Sequence, residues 1–401
     1  MKRILVIPHV PPNATLRIRS VEIAQRLARR ADFRVYVLDW PQMPHTSSSV
    51  AKLVMHAFHS TQTSRRPRSS LEKNGVTFVT IPHLVSPYPF NTYFNARSLE
   101  RFIREENIDC VINANSHHFC IPRSILSKVL YVYDLVDDHL SPEPNRAWKK
   151  TRNITLGELR KAHRIITISK ALQDLLAKEG FPKSTLIPNG VAYQLYQENL
   201  SSQVKRICKQ YNLGGQFVIA YIGNHRGWFA NTSFLVEAFR DFHVRHPKTR
   251  LLVVGPVRDG EEEEFASDSI IFTGKVPVEE IVGYYQTCDL GVLPFKLSPF
   301  TENALPLKII EYGAAGKRVV ASPLRELKTL AFPHVNLVPL DKDKWLDAWE
   351  NEFREQGTWK PDWDAVIQEY DWDVVVADLA ELILDGSSQQ GNTVRHEETA
   401  C

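Results

Sequence analysis

Lys308 and Glu311 are the residues whose types and spacing say most about chemistry. They stand near the head of an apolar stretch, Leu305–Ser322, LPLKIIEYGAAGKRVVAS. Periodicity predicts an amphipathic helix from Leu305 to about Ala315, a stop at Gly316 and a short strand, Val319–Ala321. A spacing of three puts both charges on one helix face near its N-terminus. A helix start offers unpaired N–H groups and a positive dipole end, both suited to phosphate. The lysine adds charge for a pyrophosphate, and the glutamate can accept bonds from adjacent hydroxyls such as those of a ribose. The same spacing also fits an ordinary surface ion pair worth ~0.2–0.5 kcal/mol.

A second candidate follows the aliphatic run Phe217–Ile222, where Gly223-Asn224-His225-Arg226-Gly227-Trp228 leads to a helix near Asn231. Strand, glycine turn and helix is where a doubly wound domain holds phosphates, and Arg226 could clamp one with two bonds. A solvated loop arginine fits as well. The turn is not G-x-G-x-x-G, which argues against a nicotinamide dinucleotide. Lys275-Val276-Pro277 follows the run Ile270–Phe272; its main chain could bond the edge of a base, or Pro277 could simply open a helix. The acidic stretch Tyr133-Asp134-Leu135-Val136-Asp137-Asp138-His139 ends a strand, where open α/β sheets carry catalytic groups. Asp138 is the candidate general base there, set against an ordinary capping role. His117-His118 follows Cys110–Asn113 and could reach a substrate, although adjacent histidines do not chelate one metal as an i,i+4 pair does. Arg17 and Arg19 could face an anionic acceptor or phosphate, or be an exposed helix start. Asp362-Trp363-Asp364 and Asp371-Trp372-Asp373 match D-x-D but sit where a helix cap is expected, so they read as structural.

Short aliphatic runs separated by helical stretches must position these groups. The first set is Ile4–Ile7, Phe33–Leu38, Val76–Ile81, Cys110–Asn113, Val129–Val132 and Arg164–Ile168. Between the first two runs, Ile18–Ala31 shows one buried helix face through Val21, Ala24, Leu27, Ala28 and Ala31. The second set is Phe217–Ile222, Arg250–Val254, Ile270–Phe272, Leu290–Leu293, Val319–Ala321 and Asn336–Val338. Near-continuous apolar strands alternating with helices mean parallel sheets covered on both faces, and two sets mean two doubly wound α/β domains. Ile187-Pro188-Asn189-Gly190-Val191 marks the break. The expected division is a first domain over 1–195 with a flexible loop at 44–70, a linker at 196–215, a second domain over 216–370, a helix at 371–385 and a disordered tail at 386–401.

The chain has 401 residues, 43% hydrophobic and 24% charged, with a net charge of +3, enough for two ordinary soluble domains. The balance argues against a dedicated nucleic-acid binder. Cys110, Cys120, Cys208, Cys288 and Cys401 are scattered without metal-like spacing, which points to reduced thiols in a cytoplasmic protein. The start MKRILVIPHVPPN is too short in aliphatics for a signal-peptide core, and no apolar run is long enough to cross a bilayer. Arg97, Arg101 and Arg104 with Lys149, Lys150 and Arg152 could form a basic face toward anionic lipid, giving peripheral membrane contact; exposed solubilising charge is the plainer reading.

Taken together, these segments resemble the GT-B-fold glycosyltransferases of the group 1 or family 4 type. The matching pieces are Ile187–Val191, Gly274-Lys275-Val276, Cys288–Phe295, Pro306–Tyr312 and Gly316–Ser322, with a weaker match at Ala162–Ser169. The resemblance implies two Rossmann-like domains facing across a cleft, with the last helix returning to the first domain. It implies a nucleotide-sugar donor on the second domain and a glycan or lipid-linked acceptor on the first, with no metal or further cofactor. Gly223, Asn224, Arg226, Lys275, Val276, Asn303, Pro306, Leu307, Lys308 and Glu311 are then donor-binding. Glu311 matches the second residue of the family's E-x7-E pair and holds the ribose; the first falls on Asn303, a departure. The Pro-Leu-Lys variant puts Lys308 beside the diphosphate and points to polysaccharide or cell-envelope glycans. If the enzyme inverts, Asp138, or His117 in its stead, would take the acceptor's proton; the resemblance leaves retention or inversion of the anomeric configuration open. A sugar-nucleotide epimerase of the same fold and a degenerate sugar-nucleotide-binding subunit are the rival readings, the latter supported by Asn303.

Overall fold

The structure is a computed structural model that describes residues 1–12, 18–40, 69–83, 90–115, 119–142, 148–356 and 362–385. Its first sheet contains β1 Lys2–Ile7, β2 Phe33–Leu38, β3 Ser69–Lys73, β4 Val76–Thr80, β5 Cys110–Asn113, β6 Leu130–Leu135, β7 Arg164–Thr167 and β8 Thr185–Leu186. The second contains β9 Phe217–Ile222, β10 Thr249–Val254, β11 Ile270–Phe272, β12 Leu290–Leu293, β13 Arg318–Ala321 and β14 Val335–Leu337. The spatial orders are β3-β4-β2-β1-β5-β6-β7-β8 and β11-β10-β9-β12-β13-β14. Every pairing is parallel except β3 with β4. Both sheets reverse direction beside their first strand, the doubly wound pattern.

Burial follows the two-residue period of the strands. Ile4 and Val6 of β1 belong to one core of the first domain, Leu5 and Ile7 to the other. The second sheet has a single continuous core.

The helix after β1 spans Arg19–Ala28, shorter than the expected Ile18–Ala31. Val21 is only half-buried and Ala31 is exposed, whereas Arg19, Ser20, Glu22 and Arg26 are buried. The reason is a second neighbour. The helix Trp372–Asp385 lies over it, contributing Trp372, Val375, Leu379 and Ile383 to the first domain's core. Lys2 Nζ donates to the carbonyls of Ile383 (2.9 Å) and Leu384 (3.2 Å).

Two strands were not expected. β3 is polar and pairs with β4 through Asn74-Gly75, both at positive φ (53° and 75°), the geometry of a tight hairpin turn. It takes Ser69 and Ser70 out of the expected loop; residues 44–68 of that loop, and the tail 386–401, lie outside the described residues. β8 is two exposed residues. The expected linker 196–215 instead holds the helix Ser201–Gln210, whose Ile207 is fully buried in the second core.

The chain passes between domains twice at one place. Val191 N donates to Tyr370 O (2.8 Å) and Trp372 N to Val191 O (3.0 Å). A Cβ on Gly190 would lie 2.7 Å from the Trp372 ring, so only glycine lets the two crossings touch.

Candidate active site

In the second sheet the reversal falls between β9 and β12, where open α/β sheets form a crevice beyond the strand ends. A cavity of about 250 Å³ lies there. Gly223 and Asn224 after β9, and Lys275 and Val276 after β11, line it. So do Leu307, Lys308 and Glu311 of the helix Leu307–Ala314. Phe229 and Phe295, with ring centroids 4.9 Å apart, form an aromatic side. Gly255 shapes the floor. Its φ is 120°, its N–H donates to Gly274 O, and a Cβ on it would sit 1.8 Å from Gly223 O. Backbone can approach backbone that closely only without a side chain.

The helix Leu307–Ala314 begins after Pro306, which supplies no side-chain cap; Ile309 N–H donates to Pro306 O (3.1 Å), and among the described residues the N–H groups of Leu307 and Lys308 have no partner and are open to a ligand. Lys308 Nζ lies 2.7 Å from Glu311 Oε2, and the Tyr285 hydroxyl donates to the same oxygen at 2.6 Å. Among the described residues Oε1 carries no such bond and is open to a hydroxyl of a ligand. Glu311 is 3% exposed and Tyr285 fully buried. Burial first, and then the neighbouring carboxylate, push the Tyr285 hydroxyl well above its ordinary value, so it stays a donor and fixes the carboxylate's direction. Behind the Gly223 turn, His225 is fully buried, with Nε2 3.0 Å from Val254 O and its ring centroid 4.0 Å from that of Tyr221. Burial, together with nearby Lys308, lowers it to about 4, so it is neutral at neutral pH and braces the turn.

The remaining expected groups lie elsewhere. Arg226 is not on the cavity wall: its Nε donates to Val257 O (2.8 Å) and its tip lies 3.8 Å from Asp259, because the turn directs the side chain along the neighbouring loop. Asn303 is also off the wall, with Nδ2 donating to Asp138 Oδ2 at 2.7 Å. Asp138 is 1% exposed, and its Oδ1 accepts the N–H groups of Leu140 (2.9 Å) and Ser141 (2.8 Å). With both oxygens bonded inside the protein it acts as a turn cap and interdomain bridge rather than as the expected general base. Arg19 is buried against Asp134 (3.0 Å) and the carbonyls of Ile187 (2.8 Å) and Pro188 (2.7 Å), a structural role. His117 and Arg17 lie outside the described residues. Asp371 caps its helix, its oxygens accepting from Tyr193 N and Asp373 N. Arg97, Arg101 and Arg104 bond Tyr93, Glu105 and Glu100 one turn away, so their charge is partly matched. Among the described residues no group of three or more His, Cys, Asp or Glu side chains is arranged to hold a metal ion.

Gly255 and Tyr285 are absent from the sequence reading, and His225 enters it only as a member of the turn Gly223–Trp228, without a role of its own. Gly255 directly after an aliphatic run was a usable signal; Tyr285 arrives from a separate helix and left none.

Known proteins agree with this architecture. The family described as Glycosyl transferases group 1 matches residues 216–351, and that described as Glycosyltransferase Family 4 matches residues 18–195. The chain belongs to these group 1/family 4 glycosyltransferases and has their GT-B fold. The putative teichuronic acid biosynthesis glycosyltransferase TuaH of Bacillus subtilis (strain 168) is 27% identical over 234 residues, 54% of this chain. The match spans little more than half of that relative, 56% of its length. Sucrose-phosphate synthase from Thermosynechococcus elongatus superposes with a TM-score of 0.71 at 15% identity, covering 97% of this chain and all of that one. Anabaena Alr3699/HepE in complex with UDP gives 0.66 at 16% identity, covering 96% of this chain and all of that one. At these identities the structures speak to fold.

Proposed function

We propose that this protein transfers a sugar from a nucleoside-diphosphate sugar to a hydroxyl of a glycan or lipid-linked acceptor, in polysaccharide or cell-envelope biosynthesis. The observation that carries this reading is the Lys308–Glu311–Tyr285 cluster on the wall of the cavity between β9 and β12. Lys308, Lys275 and the open N–H groups of the Leu307–Ala314 helix meet the diphosphate and stabilise it as it leaves. Glu311, aimed by Tyr285, accepts the ribose hydroxyls, and the main chain at Lys275-Val276 borders the base. The bond from the anomeric carbon to the diphosphate breaks, the acceptor oxygen bonds to that carbon, and its proton passes to a group of the first domain, for which His117 is retained as the candidate. Positive charge from fixed side chains and N–H groups supports transfer without a metal or resident cofactor.

Support for the glycan class comes from the teichuronic acid relative, and for the nucleotide from HepE, whose structures hold UDP and UDP-glucose. We place the reaction on the cytoplasmic face, with membrane contact arising through a lipid-linked acceptor; no helix among the described residues is long and apolar enough to cross a membrane. Thermal unfolding with UDP, GDP and ADP tests the donor site: one of them should raise the midpoint, with its nucleotide sugar consumed only when acceptor is added. Failure of all three to stabilise the protein rejects the reading, and consumption without acceptor rejects transfer.

A further inference from the structure

The helix that carries Lys308 and Glu311 is entered through residues 303–305, and the first domain holds that segment from three sides. Asn303 Nδ2 donates to Asp138 Oδ2 (2.7 Å), Ser169 Oγ to Asn303 O (2.5 Å), and Asn189 Nδ2 to Leu305 O (2.9 Å). Asp138, Ser169 and Asn303 are 1%, 0% and 8% exposed, so these bonds form away from water. Asp138 is itself fixed, its Oδ1 locked into the turn at Leu140-Ser141. Asn189 is fixed in the crossing whose carbonyls Arg19 holds.

We propose that Asp138 and Asn303 are a matched interdomain pair that positions the donor helix, so that closure of the two domains sets nucleotide affinity. This rests on the donor-site reading above and assigns its control to residues outside the cavity. The chemistry of the pair is directional. The carboxylate of Asp138 can only accept, and the amide at 303 supplies the donor. A carboxylate at 303 would face another at hydrogen-bond distance, where both cannot stay ionised. An asparagine at 138 keeps Oδ1 for Leu140 and Ser141 and presents Nδ2 across the cleft. The pair can therefore be exchanged in order without losing its geometry. When the pair is broken the domains spend less time closed, and apparent affinity falls by the lost fraction of the binding-competent state.

The test is a charge exchange read by calorimetry with whichever of UDP, GDP and ADP stabilises the wild type. Asn303→Asp should weaken binding by roughly 10–100-fold, the scale of losing a buried charge-assisted bond and gaining repulsion. Asp138→Asn, which keeps a neutral bond once the Asn303 amide turns its Oδ1 toward the new Nδ2, should weaken it by only about threefold. The double variant N303D/D138N should return to within about threefold of wild type. Under saturating donor, kcat of N303D should fall far less than its KM rises, and scattering should show a larger radius of gyration that the double variant reverses. A double variant no better than N303D alone overturns the proposal. So does a D138N variant that binds nucleotide normally yet cannot transfer, which would restore Asp138 as a base. Should N303D not fold, N303A breaks the bond without adding charge, and wild-type affinity in that variant overturns the proposal equally. Wild type that binds none of the three nucleotides instead rejects the donor-site reading itself.

Discussion

Replacing Glu311 with alanine separates two costs that the structure allows to be estimated. The first is to the empty protein. Glu311 Oε2 accepts from Tyr285, whose hydroxyl is fully buried, so the substitution leaves an unpaired buried donor costing about 1–3 kcal/mol. Lys308 also loses its partner, but its side chain is 21% exposed and can turn to water, so that loss is about 0–1 kcal/mol. The second cost is to the ligand. Each hydroxyl bonded to a charged acceptor contributes about 1.5–3 kcal/mol, so losing one raises Kd by roughly 10–150-fold. Glu311→Gln should divide the two, since an amide oxygen still accepts from Tyr285; its stability should stay within about 1 kcal/mol of wild type while affinity still falls about tenfold. Chemical denaturation gives the first quantity and calorimetry with the stabilising nucleotide gives the second. Wild-type affinity in Glu311→Ala would refute the assignment of this carboxylate to the donor, whatever its effect on stability.

Gly255→Ala should abolish nucleotide binding and lower stability by several kcal/mol, because its Cβ would sit 1.8 Å from the Gly223 carbonyl at a φ of 120°; a binding titration beside a urea melt checks both, and normal binding rejects the described floor. Glu326 accepts the N–H groups of Lys170 and Ala171 at 2.9 Å each, capping a helix of the first domain from the second. Glu326→Ala should therefore cost about 0.5–2 kcal/mol and loosen the closed arrangement, seen as a lower thermal midpoint and an expanded scattering profile; an unchanged profile and midpoint count against a cap that spans the cleft. His225 and His334 are buried and lowered to about 4 from 6.5. Between those values the unfolded chain binds protons that the folded one does not, so stability is full above pH ~6.5 and falls toward pH ~4. The slope is up to about 1.4 kcal/mol per pH unit for each histidine, and His225→Gln should flatten the urea midpoint's pH dependence by that share; an unaltered slope would mean that His225 titrates normally.

Much of the fold was legible because parallel strands buried on both faces must be nearly continuous in aliphatic residues, and β1, β2, β5, β9 and β12 are. β3 was not, since Ser69–Lys73 is a polar edge with little apolar content, although Asn74-Gly75 announced its turn. The helix Arg19–Ala28 misled in its face because periodicity assumes one apolar side, whereas this helix lies between a sheet and another helix. Lys308 and Glu311 could be read because a helix start fixes where both side chains go. Arg226 could not: a loop arginine beside glycine reads alike whether it meets a phosphate or the carbonyl of Val257. Asp138 and Asn303 lie far apart in sequence, so their bond had no local signature, and each seemed to need its own explanation until the fold brought them together.

The helix Trp372–Asp385 follows the whole second domain in sequence, yet its Val375, Leu379 and Ile383 complete the apolar interior around β1 and the Arg19–Ala28 helix. During synthesis the amino-terminal half emerges first but keeps an uncovered greasy face until the ribosome has made everything in between. Its maturation is thus tied to completion of its neighbour, and a nascent chain stalled before Trp372 would be a client for chaperones rather than an independently folded first domain.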